Sequence, residues 1–101
     1  MNGIIRSRPE AVDIALVIEV SSSTRRKDEA RAKLYARLGL PEYWLLDLGR
    51  ALVVPHHTPE HSEQLGYRYA SVTPVGRDAT VAATTVDGPT FETNFLLQLA
   101  A

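Results

Sequence analysis

The 101-residue chain contains no cysteine, which excludes disulfides, thiolate metal centres and cysteine nucleophiles together. Any chemistry must therefore use carboxylates, hydroxyls, histidine, lysine or arginine. It has no apolar run of membrane-spanning length, and its start, MNGIIRSRPE, lacks the cationic-then-apolar order of a secretory leader. The expected location is cytoplasmic, with no membrane partner. No G-x-S-x-G occurs, so the serines form no nucleophile elbow. Internal repeats and low-complexity linkers are also missing. At 45% hydrophobic and 23% charged, residues 1–101 read as one ordinary globular domain.

A broad basic face is absent too, because the net charge is only -1. The charge is uneven, however. Residues 1–50 carry nine Lys or Arg against seven acids, a balance of +2, and residues 51–101 carry two against five, a balance of -3. Any anion site belongs to the first half.

What is present begins with DIALVIEV at 13–20, where Ile14, Leu16, Ile18 and Val20 alternate with Asp13, Ala15, Val17 and Glu19. Both faces are partly apolar, which predicts a central strand covered on both sides. Ser22, Ser23 and Thr24 offer N-cap oxygens for a helix over 25–38, Gly39 stands where a left-handed terminator is wanted, and Pro41 blocks continuation. Steps of about 100° put Lys27, Ala30, Arg31, Leu34, Tyr35 and Leu38 on the predicted packing arc, with Lys33 turned to water.

Residues 42–48, EYWLLDL, have strand composition, and Leu48-Gly49-Arg50 turns into a second strand over 51–55. HHTPEHSEQLG reads as a polar loop. Further strands are expected near 67–73 and 80–85, a turn at 86–89, and a short closing helix in NFLLQLAA. The order predicts an α/β (α+β) fold: a mixed β-sheet with one main helix packed on it, followed by antiparallel hairpins.

Glu19 is the first candidate for chemistry, since a carboxylate in a β-branched strand must be solvated, paired, protonated or metal-bound. Ser21 shares its face about 7 Å further along. Asp13 also shares that face, but six extended residues separate the two acids by about 20 Å, so as a second metal ligand it is weak and a polar strand entrance is the alternative. Arg25, Arg26 and Lys27 oppose the helix dipole unless an anion such as a nucleic-acid phosphate arrives; exposed cations without a role are the other reading. Arg31, one turn on, either reaches over the sheet towards Glu19 or packs its stem on Tyr35. His56, His57 and His61 fall in the expected loop around Pro59, without helical ligand spacing.

The succession ALVIEVSSST, RRKD at 25–28, KLYA at 33–36 and GLPEYWLLD at 39–47 resembles the Uma family of restriction endonucleases, in the PD-(D/E)XK superfamily. The resemblance is strong over 13–56 and looser beyond. It implies a mixed sheet flanked by helices and DNA phosphodiester hydrolysis with Mg²⁺ or Mn²⁺. Glu19 would be the metal-binding acid and Asp28 a supporting residue, with Ser21 where the superfamily pattern has a lysine and Arg31 where relatives place a helix lysine. The resemblance also implies an acid on an upstream strand, for which 1–12 offer only Glu10. The expectation is therefore the C-terminal portion of a restriction-endonuclease-like fold, truncated, with its exposed sheet edge covered in a homodimer or higher homo-oligomer. The alternative is a catalytically degenerate nucleic-acid-binding or assembly module on the same scaffold.

Overall fold

A computed structural model of the protein describes residues 15–22, 24–85 and 90–101. Parallel pairing between two strands requires a crossover, and the hydroxyl-rich segment after the first strand supplies its start. Strand β1 (Leu16–Ser21) leads to helix α1 (Arg25–Arg37), and α1 returns the chain to β2 (Glu42–Asp47), which pairs parallel to β1 with Glu19 opposite Leu45 and Ser21 opposite Asp47. Thr24 is the N-cap, accepting from the Lys27 amide at 3.4 Å. At the other end Gly39 adopts φ 76°, the left-handed conformation in which a Cβ is costly.

Antiparallel strands β3 (Leu52–Ser62) and β4 (Gly66–Val72) complete a four-stranded sheet in the order β1-β2-β3-β4. A small second sheet pairs β5 (Thr80–Ala82) with β6 (Thr90–Glu92), and helix α2 (Thr93–Ala100) follows. The sheet thus lies between two apolar layers. On one side α1 packs through Ala32, Tyr35 and Ala36 onto Val17, Tyr43, Leu45, Val54 and Tyr69; on the other, Trp44, Leu46 and Val53 meet Val81, Phe91, Leu96 and Leu97. Tyr43 and Trp44 are wholly buried on opposite faces, so the period-two alternation of β2 feeds both layers. Each aromatic burial contributes on the order of 2–3 kcal/mol.

The mixed α+β class with its main helix and hairpins is thus observed, while four details differ from expectation. First, β1 is an edge strand among the described residues, not a central one. Second, HHTPEHS is the outer half of the long β3, because His57, Pro59 and His61 pair with Ser71, Tyr69 and Tyr67 of β4; cross-strand partners outweigh polar composition. Thr58 within it is left-handed, at φ 60°.

Third, α1 is rotated from the predicted arc. Leu34 and Leu38 remain half exposed, and Asp28, Ala32, Tyr35 and Ala36 face the sheet. The small side chains of Ala32 and Ala36 allow close approach, and a buried bond from Ser21 to Asp28 holds the helix in that rotation. Fourth, β6 was not anticipated. The turn expected at 86–89 lies outside the described residues.

Candidate active site

Glu19 and Ser21 alternate onto the α1 face of β1, and their surroundings come from α1 and β2. The Glu19 carboxylate lies beside Arg31, with Oε1 3.8 Å from Nε, both side chains about one-third exposed at 30% and 34%. Glu19 Oε1 is nonetheless buried and receives no hydrogen bond among the described residues. Tyr35, also on α1, stands over Tyr43 of β2 with ring centres 4.9 Å apart. Burial, then a hydrogen bond that the Tyr35 hydroxyl donates to the Glu19 carboxylate and the negative charge of that group, push the Tyr35 phenol up to about 12, with Arg31 opposing. Tyr43 is pushed up by burial first and by Glu19 second; its hydroxyl is buried with no hydrogen-bond partner among the described residues. Glu19 therefore sits beside the Tyr35 and Tyr43 phenols and one cation, in a setting that water still partly screens.

Ser21 has a structural bond as well. Its Oγ donates to Asp28 Oδ1 at 2.6 Å in a buried contact, and its carbonyl accepts from the Leu48 amide at 3.0 Å. The pair ties β1 to the first turn of α1, where an acid also complements the helix dipole. Arg25, Arg26 and Lys27 are exposed on that turn. Arg25 approaches Glu29 one turn along at 4.0 Å, both largely in water. The structure therefore brings Glu19, Ser21, Asp28 and Arg31 to one end of the β1–α1 layer, with the three cations at its rim. Asp13 lies outside the described residues.

Beside this cluster, between α1 and strands β2 to β4, runs a groove of about 460 Å³. Neither Glu19 nor Arg31 lines it, but Arg25 and Asp28 do. Asp47 reaches it from the end of β2, held by the Arg50 backbone amide and guanidinium, both at 3.1 Å.

Two residues of structural weight escaped the sequence reading. Glu42 is completely buried, on the opposite face from Glu19. It accepts from Trp44 Nε1 at 2.7 Å, the Thr85 hydroxyl at 2.7 Å, the Thr84 and Thr85 amides at 3.1 Å, and lies 2.9 Å from His57 Nε2. Burial alone would raise its pKa, but the bonds from Thr85, Trp44 and His57 outweigh burial and hold the carboxyl below its ordinary value. The alternation Glu42, Trp44, Leu46 placed an acid on an apolar face and was the available signal. His56, expected in a loop, is instead a buried strand residue. Its Nδ1 lies 2.8 Å from the Val54 carbonyl and 3.2 Å from that of Tyr43.

The donor set can be tested against the metal that the resemblance implies. Among the described residues no group of three His, Cys, Asp or Glu could hold an ion. Mg²⁺, however, is commonly held by one or two carboxylates plus substrate phosphate and water. Glu19, with one buried oxygen that no described residue donates to, fits that minimal role.

The family model Uma2, described as "Putative restriction endonuclease", matches residues 2–88. No curated protein and no solved structure matches the chain.

Proposed function

The chain belongs to the Uma2 family of restriction endonucleases, and from that premise we propose that it hydrolyses DNA phosphodiesters in the cytoplasm with Mg²⁺ or Mn²⁺ as cofactor. The observation that carries the reading is Glu19, a partly buried carboxylate whose Oε1 receives no hydrogen bond among the described residues and has a guanidinium 3.8 Å away. Glu19 holds the metal. When bound, the metal supplies Lewis acidity and a more acidic water.

The chain's own residues do the rest. Arg31 stabilises negative charge growing on the phosphate oxygens; being always protonated, it donates hydrogen bonds and does not relay a proton. Arg25, Arg26 and Lys27 hold the DNA backbone at the α1 N-terminus, where dipole and free amides favour an anion. Ser21 acts through its bond to Asp28, fixing the angle at which α1 presents Arg31 to Glu19. A second copy of the chain covers the edge that β1 forms among the described residues; size-exclusion chromatography with light scattering tests this, and a monomer at micromolar concentration would count against it.

A second reading is favoured by one observation: among the described residues no group of three His, Cys, Asp or Glu could hold an ion. In it the fold is retained as a nucleic-acid-binding or assembly module without cleavage. Supercoiled plasmid incubated with Mg²⁺ or Mn²⁺ separates the two: nicking supports the endonuclease, and salt-sensitive binding without nicking supports the module.

A further inference from the structure

We propose that the groove between α1 and strands β2 to β4 binds one nucleotide, its base on the apolar floor with an N–H group on His56 Nε2, and its phosphate on the cationic rim of Lys33 and Arg68. The inference rests on the nuclease reading for its biological context, but its geometry is independent of Glu19.

The groove's volume of about 460 Å³ falls in the range of roughly 300–1,000 Å³ typical of small-molecule sites. Its floor comes from Leu45, Val54 and Tyr69, all of them buried core residues. Such a floor suits the flat apolar face of a base. His56 lines the same groove and is 7% exposed. A ring nitrogen facing two carbonyl oxygens must carry the proton, so Nδ1 donates to Val54 and Tyr43 and Nε2 is the bare acceptor. No described residue donates to Nε2, whereas a base amino group or ring N–H would. Burial keeps the imidazole pKa below its ordinary value, consistent with a neutral acceptor. Buried Asp28 and Asp47 on the groove wall accept from donors as well, which favours an amine-bearing base.

The rim has the opposite character. Arg68 is shared with exposed Glu60 at 2.9 Å, and Lys33 makes no ion pair among the described residues. An apolar floor with inner acceptors and outer cations matches the base-to-phosphate polarity of a nucleotide.

The test is titration of the full chain with deoxyadenosine 5′-monophosphate, followed by calorimetry and by the imidazole nitrogen resonances of His56. Saturable binding that perturbs Nε2 more than Nδ1 is expected, with deoxyribose 5-phosphate and deoxyadenosine each weaker. Lys33→Ala, an exposed substitution that leaves the core intact, should weaken the nucleotide by about 10-fold, the loss of one charge-assisted phosphate contact. Glu19→Ala should leave it unchanged. An oligonucleotide that displaces the mononucleotide identifies a DNA strand as the source, and one that does not identifies the free nucleotide. Equal affinity for deoxyribose 5-phosphate, or no perturbation of His56, overturns the proposal. The two readings fail separately: nucleotide binding without plasmid nicking removes the nuclease and keeps the groove, and nicking without nucleotide binding removes the groove.

Discussion

Glu19 Oε1 on β1 and Arg31 Nε on α1 stand 3.8 Å apart, across the junction of the only parallel strand pair among the described residues. Replacing Arg31 by Ala should change thermal stability little, since partly exposed pairs contribute at most about 1 kcal/mol. The nicking rate should fall by about 100-fold or more, as for removal of one preorganised charge-stabilising donor. Arg31→Lys should recover part of that rate. Parallel melting curves and plasmid assays check the split, and a stability loss that tracks the rate loss would make Arg31 merely structural.

Ser21→Ala removes the hydroxyl that donates to Asp28 in a buried contact. The expected cost is about 1–3 kcal/mol, the price of leaving a buried acceptor unsatisfied. Urea denaturation of Ser21→Ala and of Asp28→Asn, whose carbonyl can still accept the bond, should place Asn nearer the parent chain. Equal stability of Ser21→Ala and the parent would dismiss the bond as an anchor of α1.

Glu42 gathers Trp44, His57, Thr84 and Thr85 around one buried carboxylate. Glu42→Ala strands several donors at once and should cost about 3–5 kcal/mol, comparable with breaking a buried charged pair. Glu42→Gln, which keeps the shape, should lose less. Denaturant titration distinguishes them, and a small loss in Glu42→Ala would mean that water replaces the carboxylate.

Acid should lower stability in two stages. His56 has its folded pKa below the ordinary 6.5, so on acidification the unfolded chain takes up its proton first. Its contribution is full above about pH 6.5 and is lost as pH falls towards the lowered folded value. Glu42, held below its ordinary 4.5, contributes stability above about pH 4.5, and this is lost as pH falls through its folded value. Denaturation free energies measured against pH should decline through both windows. Glu42→Gln should flatten the second alone, and an unchanged slope in that variant would contradict the assignment.

Local signals made much of this fold legible. The alternation around Glu19, the Thr24 cap and Gly39 stop of α1, and the hairpin order all come from residues whose neighbours in sequence decide their conformation. The outer half of β3 was not legible, because His57, Pro59 and His61 become strand only through cross-strand partners in β4, Ser71, Tyr69 and Tyr67. The helix rotation was hidden for a similar reason: an apolar arc favours Leu34 and Leu38, but the sheet accepts the smaller Ala32 and Ala36, and Asp28 is fixed by Ser21. At the candidate site, Glu19, Ser21 and Arg31 could be nominated from spacing. The unprotonated nitrogen of His56 could not, since two backbone carbonyls define it.

The most direct measurement is supercoiled-plasmid nicking by the purified chain across Mg²⁺ and Mn²⁺ concentrations, beside Glu19→Ala prepared identically. The expected result is metal-dependent nicking that chelator abolishes and that Glu19→Ala lacks while retaining its fold. Nicking that survives in Glu19→Ala, or none by the parent chain with either metal, would contradict Glu19 as the metal-binding acid of a Uma2 endonuclease.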